Sequence, residues 1–507
     1  MKRLLVWYNL GLMSSVSEPF RKPLAKRNWL RNLCALALGL SVFPLAELCL
    51  VLFQVNPELG RNMGNFGIES KVPLFESDKA GGAAYWYPSK KWFGKMRYYE
   101  SDIRRSFEMP KPENVFRILV LGESSAAGHP FGPRVAFSRW LEVMLKASVP
   151  GRNFEVLNLG INGIGSYELK VLMPQALLAQ PDVAIIYAGH NDCMIEKTYS
   201  GSLRLDGLAS RASHELLRFR LYRLVFGFFH NDHSARRKAV FQHYAGLRRK
   251  GQPPERDKYF YAPKSRLKAA GNFRRNLEEI IAMTQQSGTP LVLCTVEYNL
   301  LDWAPEGSVP GADESRENSE GYAMTRYRKG RALAAAGKYD QAEKELRAAV
   351  ELTDLPGQAQ SFINQIIREQ AGKKPVYLAD VQAAFKAQNQ GKPPGDEWFL
   401  DNVHPNPAGH RLIAQTILQT MIDERLARPA AGAPAVQAAA DAYAQSLGAV
   451  YLYENYLYAA TEQEYMGRIR KSVRMCQKAL ELVPDGRVAS ETIQRLNSSY
   501  QGIDTSE

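Results

Sequence analysis

Beyond residue 114 the chain alternates short apolar runs with longer amphipathic segments. The apolar runs are rich in Val, Ile and Leu and predict buried strands at residues 116–122, 154–160, 183–189, 290–296 and 375–381. The segments between them predict helices at residues 136–148, 166–179, 264–287 and 407–426. Continuous apolar strands that alternate with helices are typical of a parallel sheet covered on both faces. The pattern therefore predicts an α/β fold of three layers.

Two intervals between the predicted strands are too long for simple crossovers. The first, about residues 195–262, is rich in Arg and aromatic residues. One face of a helix in this interval would rest on a membrane surface, with Arg218, Arg220 and Arg223 reaching lipid phosphates. A basic helix that packs its aromatic side chains on the domain explains the composition equally well, and both interpretations stay open.

The second interval, about residues 305–374, predicts a tetratricopeptide-like helix pair. Small and aromatic residues recur there at the spacing of such a pair, at Gly330, Gly337, Tyr339, Ala342 and Ala349. A degenerate copy at 453–486 follows an Ala/Pro linker and keeps the spacing with Gly467, Ser472, Ala479 and Pro484. Two copies are fewer than a free-standing solenoid needs, so we expect these helices to pack against the core or each other. They are also a candidate surface for a protein partner.

An apolar run at residues 33–53 is long enough, at about 1.5 Å per residue, to cross a hydrocarbon core of ~30 Å. Basic residues precede it at Arg21, Lys22, Lys26, Arg27 and Arg31, which by the positive-inside rule places the N-terminus in the cytoplasm. Pro44 and Glu47 interrupt the run. A cleaved signal peptide would have a shorter apolar region, and a soluble buried helix would have a polar face. We expect a single-pass anchor in the inner membrane, with the remainder on the periplasmic side.

Composition limits the classes of function. A chain of 507 residues predicts two or three packed units, and 45% hydrophobic residues exclude wholesale disorder. The net charge of +13 suits nucleic acid, an anionic membrane or an acidic glycan, but no nucleic-acid motif is present, so we expect no nucleic-acid partner. None of the 5 cysteines forms a CxxC pair, so neither a metal site nor a disulfide framework is expected. Cys294 lies in an apolar run, which predicts a buried free thiol.

Two motifs suggest nucleophilic chemistry. Residues 122–128, GESSAAG, follow the first predicted strand, where a serine is exposed above the sheet edge among small neighbours. A helix N-cap is the alternative for Ser124. Just before the last predicted helix, Asp401 and His404 stand three residues apart, so that a carboxylate can orient an imidazole. An ordinary surface loop is the alternative there, although the chain has only 8 histidines.

Two weaker motifs follow the second and third predicted strands. In NLGING (158–163) a glycine can present its backbone N–H without an obstructing side chain. In GHND (189–192) the amide of Asn191 is a suitable donor to a developing oxyanion. Polar turns after strands are the alternative for both motifs.

Together the four motifs resemble the GDS, glycine, GxND and DxxHP blocks of the SGNH/GDSL hydrolase family. The resemblance implies a flavodoxin-like sheet, with Ser124 as nucleophile, His404 as general base and then acid, and Asp401 as its orienting partner. It also implies an oxyanion hole made of the Ser124 and Gly163 backbone N–H groups and the Asn191 side chain. No cofactor or metal is implied.

The resemblance covers about residues 114–300 and 375–425. Glu123 replaces the aspartate usual in the family, which puts the local loop geometry in doubt more than the chemistry. The run GESSAAGHPFGP and the inserted helix pair look like a membrane-anchored bacterial subgroup. The expected organisation is an N-terminus and anchor (1–57), a lead-in (58–113), a first core part (114–304, with the basic insertion 195–262), a helical insertion (305–374), a last core part (375–426) and a C-terminal helical unit (427–507).

The sequence thus predicts an esterase that works outside the cytoplasm on acyl esters, with O-acetyl groups of an envelope polysaccharide as the suggested substrate. An acyltransferase or a lipid-directed esterase with the same site is one alternative. An interaction protein, in which the helical repeats recruit a partner to a hydrolase-like scaffold, is another.

Overall fold

A computed structural model describes residues 41–55, 73–193 (except 81–82, 95 and 104), 263–305, 323–353 and 357–501, with short stretches between 216 and 250. Its strands, in chain order, are β1 (Phe75–Ala80), β2 (Ala83–Pro88), β3 (Phe107–Met109), β4 (Val115–Gly122), β5 (Asn153–Gly160), β6 (Val183–Tyr187), β7 (Leu291–Cys294) and β8 (Val376–Ala379). The last five form a parallel sheet of order β5-β4-β6-β7-β8. This is the flavodoxin-like order, and it confirms the α/β prediction.

The helices of the described residues are α1 (Lys90–Phe93), α2 (Ser124–Ala127), α3 (Phe137–Ser148), α4 (Ser166–Leu177), α5 (Pro263–Gln286), α6 (Ala323–Ala335), α7 (Tyr339–Leu352), α8 (Ser361–Gln370), α9 (Val381–Gln388), α10 (Pro407–Asp423), α11 (Ala433–Ser446), α12 (Ala449–Tyr465), α13 (Ile469–Leu482) and α14 (Arg487–Ser499). Four of them, α3, α4, α5 and α10, lie where the amphipathic segments predict helices.

Three layers result from the direction of the crossovers. The chain moves from β4 to the edge strand β5 and then returns past β4 to β6. Because parallel crossovers are right-handed, this reversal places α3 and α4 on opposite faces. Helix α3 packs with α10, and α4 packs with α5, so β4 and β6 are buried along their whole length. The reversal also opens a crevice at the carboxyl ends of β4 and β6, which is where α/β sheets bind ligands.

The lead-in to the core contains an antiparallel sheet, β1-β2-β3, that the sequence pattern does not predict. Its strands are short, and β1 (FESDKA) is mostly polar. An aromatic cluster holds it together: the ring of Phe75 lies 5.9 Å from Trp86 and 5.2 Å from Phe107.

The helix pair expected in the second long interval is present as α6 and α7. The two helices approach closely at Gly330, where a Cβ atom would lie 2.6 Å from the side chain of Leu346. The pair packs on the core as expected, since Arg347 bonds to Glu297 at 2.8 Å and the Tyr327 hydroxyl donates to the Leu301 carbonyl at 2.9 Å. A second pair, α12 and α13, lies in the predicted C-terminal unit. The tetratricopeptide assignment itself stays a prediction.

The predicted N-terminal anchor lies only partly within the described residues, because 1–40 are outside them. Residues 41–52 are helical, and along the part of the chain that the structure describes no helix is both long and apolar enough to cross a membrane. The Glu47 carboxylate accepts the backbone N–H groups of Arg220 and Leu221, both at 2.7 Å.

The proposed lipid-phosphate role of Arg220 needs correction. Its guanidinium donates to the carbonyls of Leu50 and Val55, at 2.9 and 3.1 Å, at the end of this helix. Arg218 and Arg223 lie outside the described residues.

Candidate active site

Ser124 is the first residue of α2, directly above the end of β4. Helix α2 is a single turn that Gly128 ends with a φ of +85°. The Asn158 amide on the neighbouring strand donates to the Ala126 carbonyl at 2.9 Å and fixes the turn from the side. The residue at the N-cap position is Glu123, so the capping interpretation of Ser124 is wrong. The serine hydroxyl is therefore available for another partner.

That partner is His404. The His404 Nε2 atom lies 2.8 Å from the Ser124 Oγ, and the His404 Nδ1 atom lies 2.6 Å from the Asp401 Oδ2. The other carboxylate oxygen accepts the backbone N–H groups of Val403 (3.0 Å) and His404 (2.9 Å), which locks the loop. An ionised carboxylate only accepts hydrogen bonds, so Nδ1 carries the proton and Nε2 offers its lone pair to the serine hydroxyl. Residues 280 positions apart thus form one hydrogen-bonded chain.

The charges of this chain suit proton transfer. Burial alone would lower the pKa of the His404 imidazole, but the Asp401 carboxylate outweighs burial, and the net pKa lies above its ordinary value. Burial likewise would raise the pKa of the Asp401 carboxyl, but the imidazole and the two backbone N–H groups lower it to about 2. Asp401 is therefore an anion at neutral pH, and its charge favours the protonated form of the His404 imidazole.

The three predicted oxyanion donors stand on loops after successive strands at one edge of the sheet. Gly163 has a φ of +77°, and nothing lies within 4 Å of where its Cβ would be, so its surroundings are open. The Asn191 amide donates one hydrogen to the Ile164 carbonyl at 2.8 Å, which ties it to the loop of Gly163. The second amide hydrogen of Asn191 remains for a substrate oxygen. The Ser124 backbone N–H completes the set at the start of α2.

Comparison with known families identifies this arrangement. The model of the GDSL-like Lipase/Acylhydrolase family matches residues 120–412, which is more than half of the chain. The chain belongs to this family. It is accordingly an esterase or acylhydrolase of GDSL type, a serine hydrolase that acts on ester bonds. No protein of curated function matches its sequence.

Solved structures give only weak similarity. The acetyl xylan esterase AlAXEase is 15% identical, with a TM-score of 0.30, over 60% of this chain and 98% of that one. LAE5, an alpha/beta hydrolase from the metagenome of Lake Arreo, Spain, is 14% identical with a TM-score of 0.32, over 60% and 94%. Axe2, an acetylxylan esterase from Geobacillus stearothermophilus, is 17% identical with a TM-score of 0.30, over 60% and 94%.

Glu123, the departure from the usual GDSL sequence, joins the first motif to the third. Its carboxylate is buried and accepts the backbone N–H groups of Gly189 (2.9 Å), His190 (3.1 Å) and Asn191 (3.2 Å). Burial raises the pKa of this carboxyl well above its ordinary value, and the nearby Asp192 carboxylate raises it further. Glu123 thus fixes the loop that carries Asn191, the predicted oxyanion donor.

A second group of polar residues beside the GDSL motifs is absent from the sequence prediction. The His129 ring lies 4.7 Å from the His404 ring, and its Nε2 atom lies 2.9 Å from the Glu462 carboxylate on α12. The Asn162 amide lies 3.3 Å from the His129 Nδ1 atom. His129 belongs to the GESSAAGHP run and is one of only 8 histidines, which is the signal that the sequence carries. Nothing in the sequence places Glu462 here.

Within the described ranges, no cluster of His, Cys, Asp or Glu side chains is arranged to hold a metal ion. Cys294 is buried in β7, as expected of a free thiol, and burial raises its pKa.

Proposed function

We propose that Ser124, His404 and Asp401 are the catalytic triad of a membrane-anchored serine esterase that hydrolyses acyl esters outside the cytoplasm, O-acetyl groups of envelope polysaccharide among them. The hydrogen-bonded chain from Ser124 Oγ through the imidazole to the Asp401 carboxylate carries this proposal. Such a chain activates a hydroxyl that is otherwise a weak nucleophile at neutral pH.

The reaction proceeds in two steps. The Ser124 oxygen attacks the ester carbonyl while His404 takes the hydroxyl proton, and the carbonyl oxygen becomes an oxyanion held by Gly163, Asn191 and the Ser124 N–H. Collapse breaks the bond to the alcohol oxygen, which receives the proton from His404. Water then attacks the acyl-serine, with His404 again as base, and releases the carboxylic acid and the free serine.

The adjacent serine supplies a matched control for this mechanism. Ser125 is buried, and its hydroxyl donates to the Val403 carbonyl at 3.0 Å rather than to the imidazole. With p-nitrophenyl acetate and the full chain in detergent, Ser124→Ala should lose at least about 10³-fold in kcat. Ser125→Ala, which loses one neutral hydrogen bond, should lose less than about tenfold. Equal turnover by wild type and Ser124→Ala would refute the nucleophile assignment.

The membrane anchor is supported by the N-terminal apolar run and by the side chains of its described part. Leu45, Leu48 and Leu52 are exposed in this helix, and Phe53 is exposed directly after it, which makes a surface unsuited to water. Basic residues on the N-terminal side of the run favour export of the chain on its C-terminal side. A reporter that is active only in the cytoplasm, fused after Val55, should be inactive; activity of that fusion would overturn the exported location.

The helix pairs suit a role in binding a protein partner alongside catalysis. Tetratricopeptide pairs pack through small residues, and Gly330 lies at such a contact between α6 and α7. Removal of residues 323–353 should abolish co-purification of an envelope partner; retention of that partner would refute the assignment.

A further inference from the structure

The polar residues beside the catalytic histidine form a wall of the catalytic mouth. We name His129, Asn162, Tyr458 and Glu462 the polar wall. It joins three parts of the chain: the loop after α2, the loop after β5 and helix α12 of the C-terminal unit. The backbone N–H of His129 donates to the Ser124 carbonyl at 3.0 Å, so the wall is fixed to the nucleophile's own turn.

The hydrogen bonds define which groups the wall offers. The Asn162 amide nitrogen can only donate, so the His129 Nδ1 atom accepts, and Nε2–H then donates to the Glu462 carboxylate. The Glu462 side chain is 37% exposed, which leaves its carboxylate accessible to a further donor. The wall therefore offers a carboxylate acceptor and an amide carbonyl beside the catalytic histidine.

An aromatic ring and a cation complete this surface. The Tyr458 ring lies 6.3 Å from the His129 ring and is 36% exposed. The Arg97 guanidinium lies 4.5 Å from the centre of the Tyr458 ring and 3.4 Å from the Asn455 amide oxygen. One hydroxyl group, which is hydrogen-bonded to Glu462, stands together with an amide, one charge of each sign and an aromatic face. An acyl chain or a lipid tail would instead be matched by aliphatic side chains.

The wall stands beside His404, the group that protonates the leaving alcohol in the proposed reaction. When the tetrahedral intermediate collapses, the alcohol oxygen takes its proton from His404 and must lie within hydrogen-bond reach of Nε2. The His129 ring lies 4.7 Å from the His404 ring, so the wall is within reach of the groups attached to that alcohol. A ring with several hydroxyl groups and no net charge can hydrogen-bond to the carboxylate and the amide and pack one face against the tyrosine ring.

We propose that helix α12 completes the active site and that the polar wall binds a sugar ring as the alcohol part of the ester, with Glu462 accepting a hydroxyl hydrogen of that sugar. This inference rests on the proposed function and specifies its substrate class. It gives the C-terminal helical unit a direct role at the catalytic mouth.

Two acetate esters of similar ring size test the proposal with the full chain. Mono-O-acetyl methyl glucopyranoside has free hydroxyl groups, and cyclohexyl acetate has none. We expect wild type to prefer the sugar ester in kcat/KM by at least about 10²-fold, since a site built to bind a hydroxyl discriminates strongly against its absence. Glu462→Gln should lower kcat/KM for the sugar ester at least about tenfold more than for cyclohexyl acetate. Tyr458→Phe keeps the ring but removes the hydroxyl that is hydrogen-bonded to Glu462 and holds that carboxylate in place, so it should act in the same direction.

The pH profile gives a second readout. The Glu462 carboxylate contributes to the raised pKa of His404, so Glu462→Gln should move the acid limb of kcat/KM to lower pH. Glu454→Gln, an exposed substitution on the same helix, is the control and should change neither the preference nor the limb.

Each contrary result has a distinct meaning. Equal losses for both esters in Glu462→Gln, or a wild type that prefers cyclohexyl acetate or a long-chain glycerol ester, would overturn the sugar site and leave the esterase proposal intact. Undiminished activity of Ser124→Ala on both esters would instead refute the proposed function on which the inference rests.

Discussion

Replacement of Glu123 by alanine should impair catalysis although Glu123 contacts no substrate. The carboxylate accepts three backbone N–H groups, from Gly189, His190 and Asn191, at 2.9 to 3.2 Å. Glu123→Ala leaves these donors without a partner in a buried loop, and each such donor costs about 1–3 kcal/mol. Water that enters the space and relief from burying a carboxyl of raised pKa offset part of this cost. We expect a net loss of about 1–3 kcal/mol in the free energy of unfolding.

The catalytic effect results from displacement of Asn191. Loss of one oxyanion donor typically lowers kcat by about 10²–10³-fold, and a displaced donor should give about 10²-fold, equivalent to about 2.7 kcal/mol. The Michaelis constant should change little, because the donor acts in the transition state. Glu123→Gln, which keeps an acceptor oxygen, should stay within about tenfold of wild type.

The assay is steady-state hydrolysis of p-nitrophenyl acetate, with the melting temperature measured on the same samples. Glu113→Ala, which removes an exposed glutamate, is the control and should alter neither quantity. A Glu123→Ala enzyme with wild-type kcat and an unchanged melting temperature would refute the view that this carboxylate holds the oxyanion loop.

Three other substitutions, the last with a matched control, test the charges and the packing. Asp401→Asn should lower kcat by about 10³–10⁴-fold. It should also move the acid limb of the kcat/KM profile to lower pH, because the Asp401 carboxylate raises the pKa of His404. An acid limb at the wild-type pH would contradict this effect of the carboxylate. Burial raises the pKa of the Glu168 carboxyl to about 7. The protonated carboxyl therefore stabilises the folded state fully below the ordinary pKa of a glutamate, and this stabilisation is lost as the pH rises through about 7. Between pH 5 and pH 8, the free energy of unfolding measured by chemical denaturation should therefore fall less for Glu168→Gln than for wild type, by up to roughly 3 kcal/mol. The same pH dependence in both proteins would contradict the raised pKa of Glu168. Gly330→Ala should destabilise the protein by about 1–3 kcal/mol because the added Cβ meets the side chain of Leu346. The control is Gly271→Ala in α5, where an added Cβ meets nothing within 4 Å and should stabilise the protein by about 0.5–1 kcal/mol. Melting temperatures that shift in the same direction would contradict the packing argument.

Local patterns are sufficient to predict the core. The inner strands β6 and β7 are fully buried, so each appears in the sequence as an unbroken apolar run. The bounds of β4 and β6 fall within about two residues of those predicted. Ser124 and His404 are predictable because each stands in a short motif at a strand end or loop. Parallel topology then brings the strand ends to one edge of the sheet.

The remaining features depend on distant contacts that leave little local trace. The strands β1 to β3 are short and partly polar, since their stability comes from aromatic packing among Phe75, Trp86 and Phe107. The partnership of His129 with Glu462 spans 333 positions and depends on how α12 packs against the core. A helical pattern predicts α12, but not the face of the enzyme on which it lies.

Identification of the residue that a serine-directed reagent modifies is the most direct test of Ser124 as the nucleophile. A fluorophosphonate ester reacts with an activated serine and leaves a stable phosphonyl group, which peptide mass spectrometry locates. We predict one phosphonyl group, on the hydroxyl of Ser124, with parallel loss of esterase activity and no labelling of Ser124→Ala. Labelling of another residue, or full inactivation with Ser124 unmodified, would contradict this assignment.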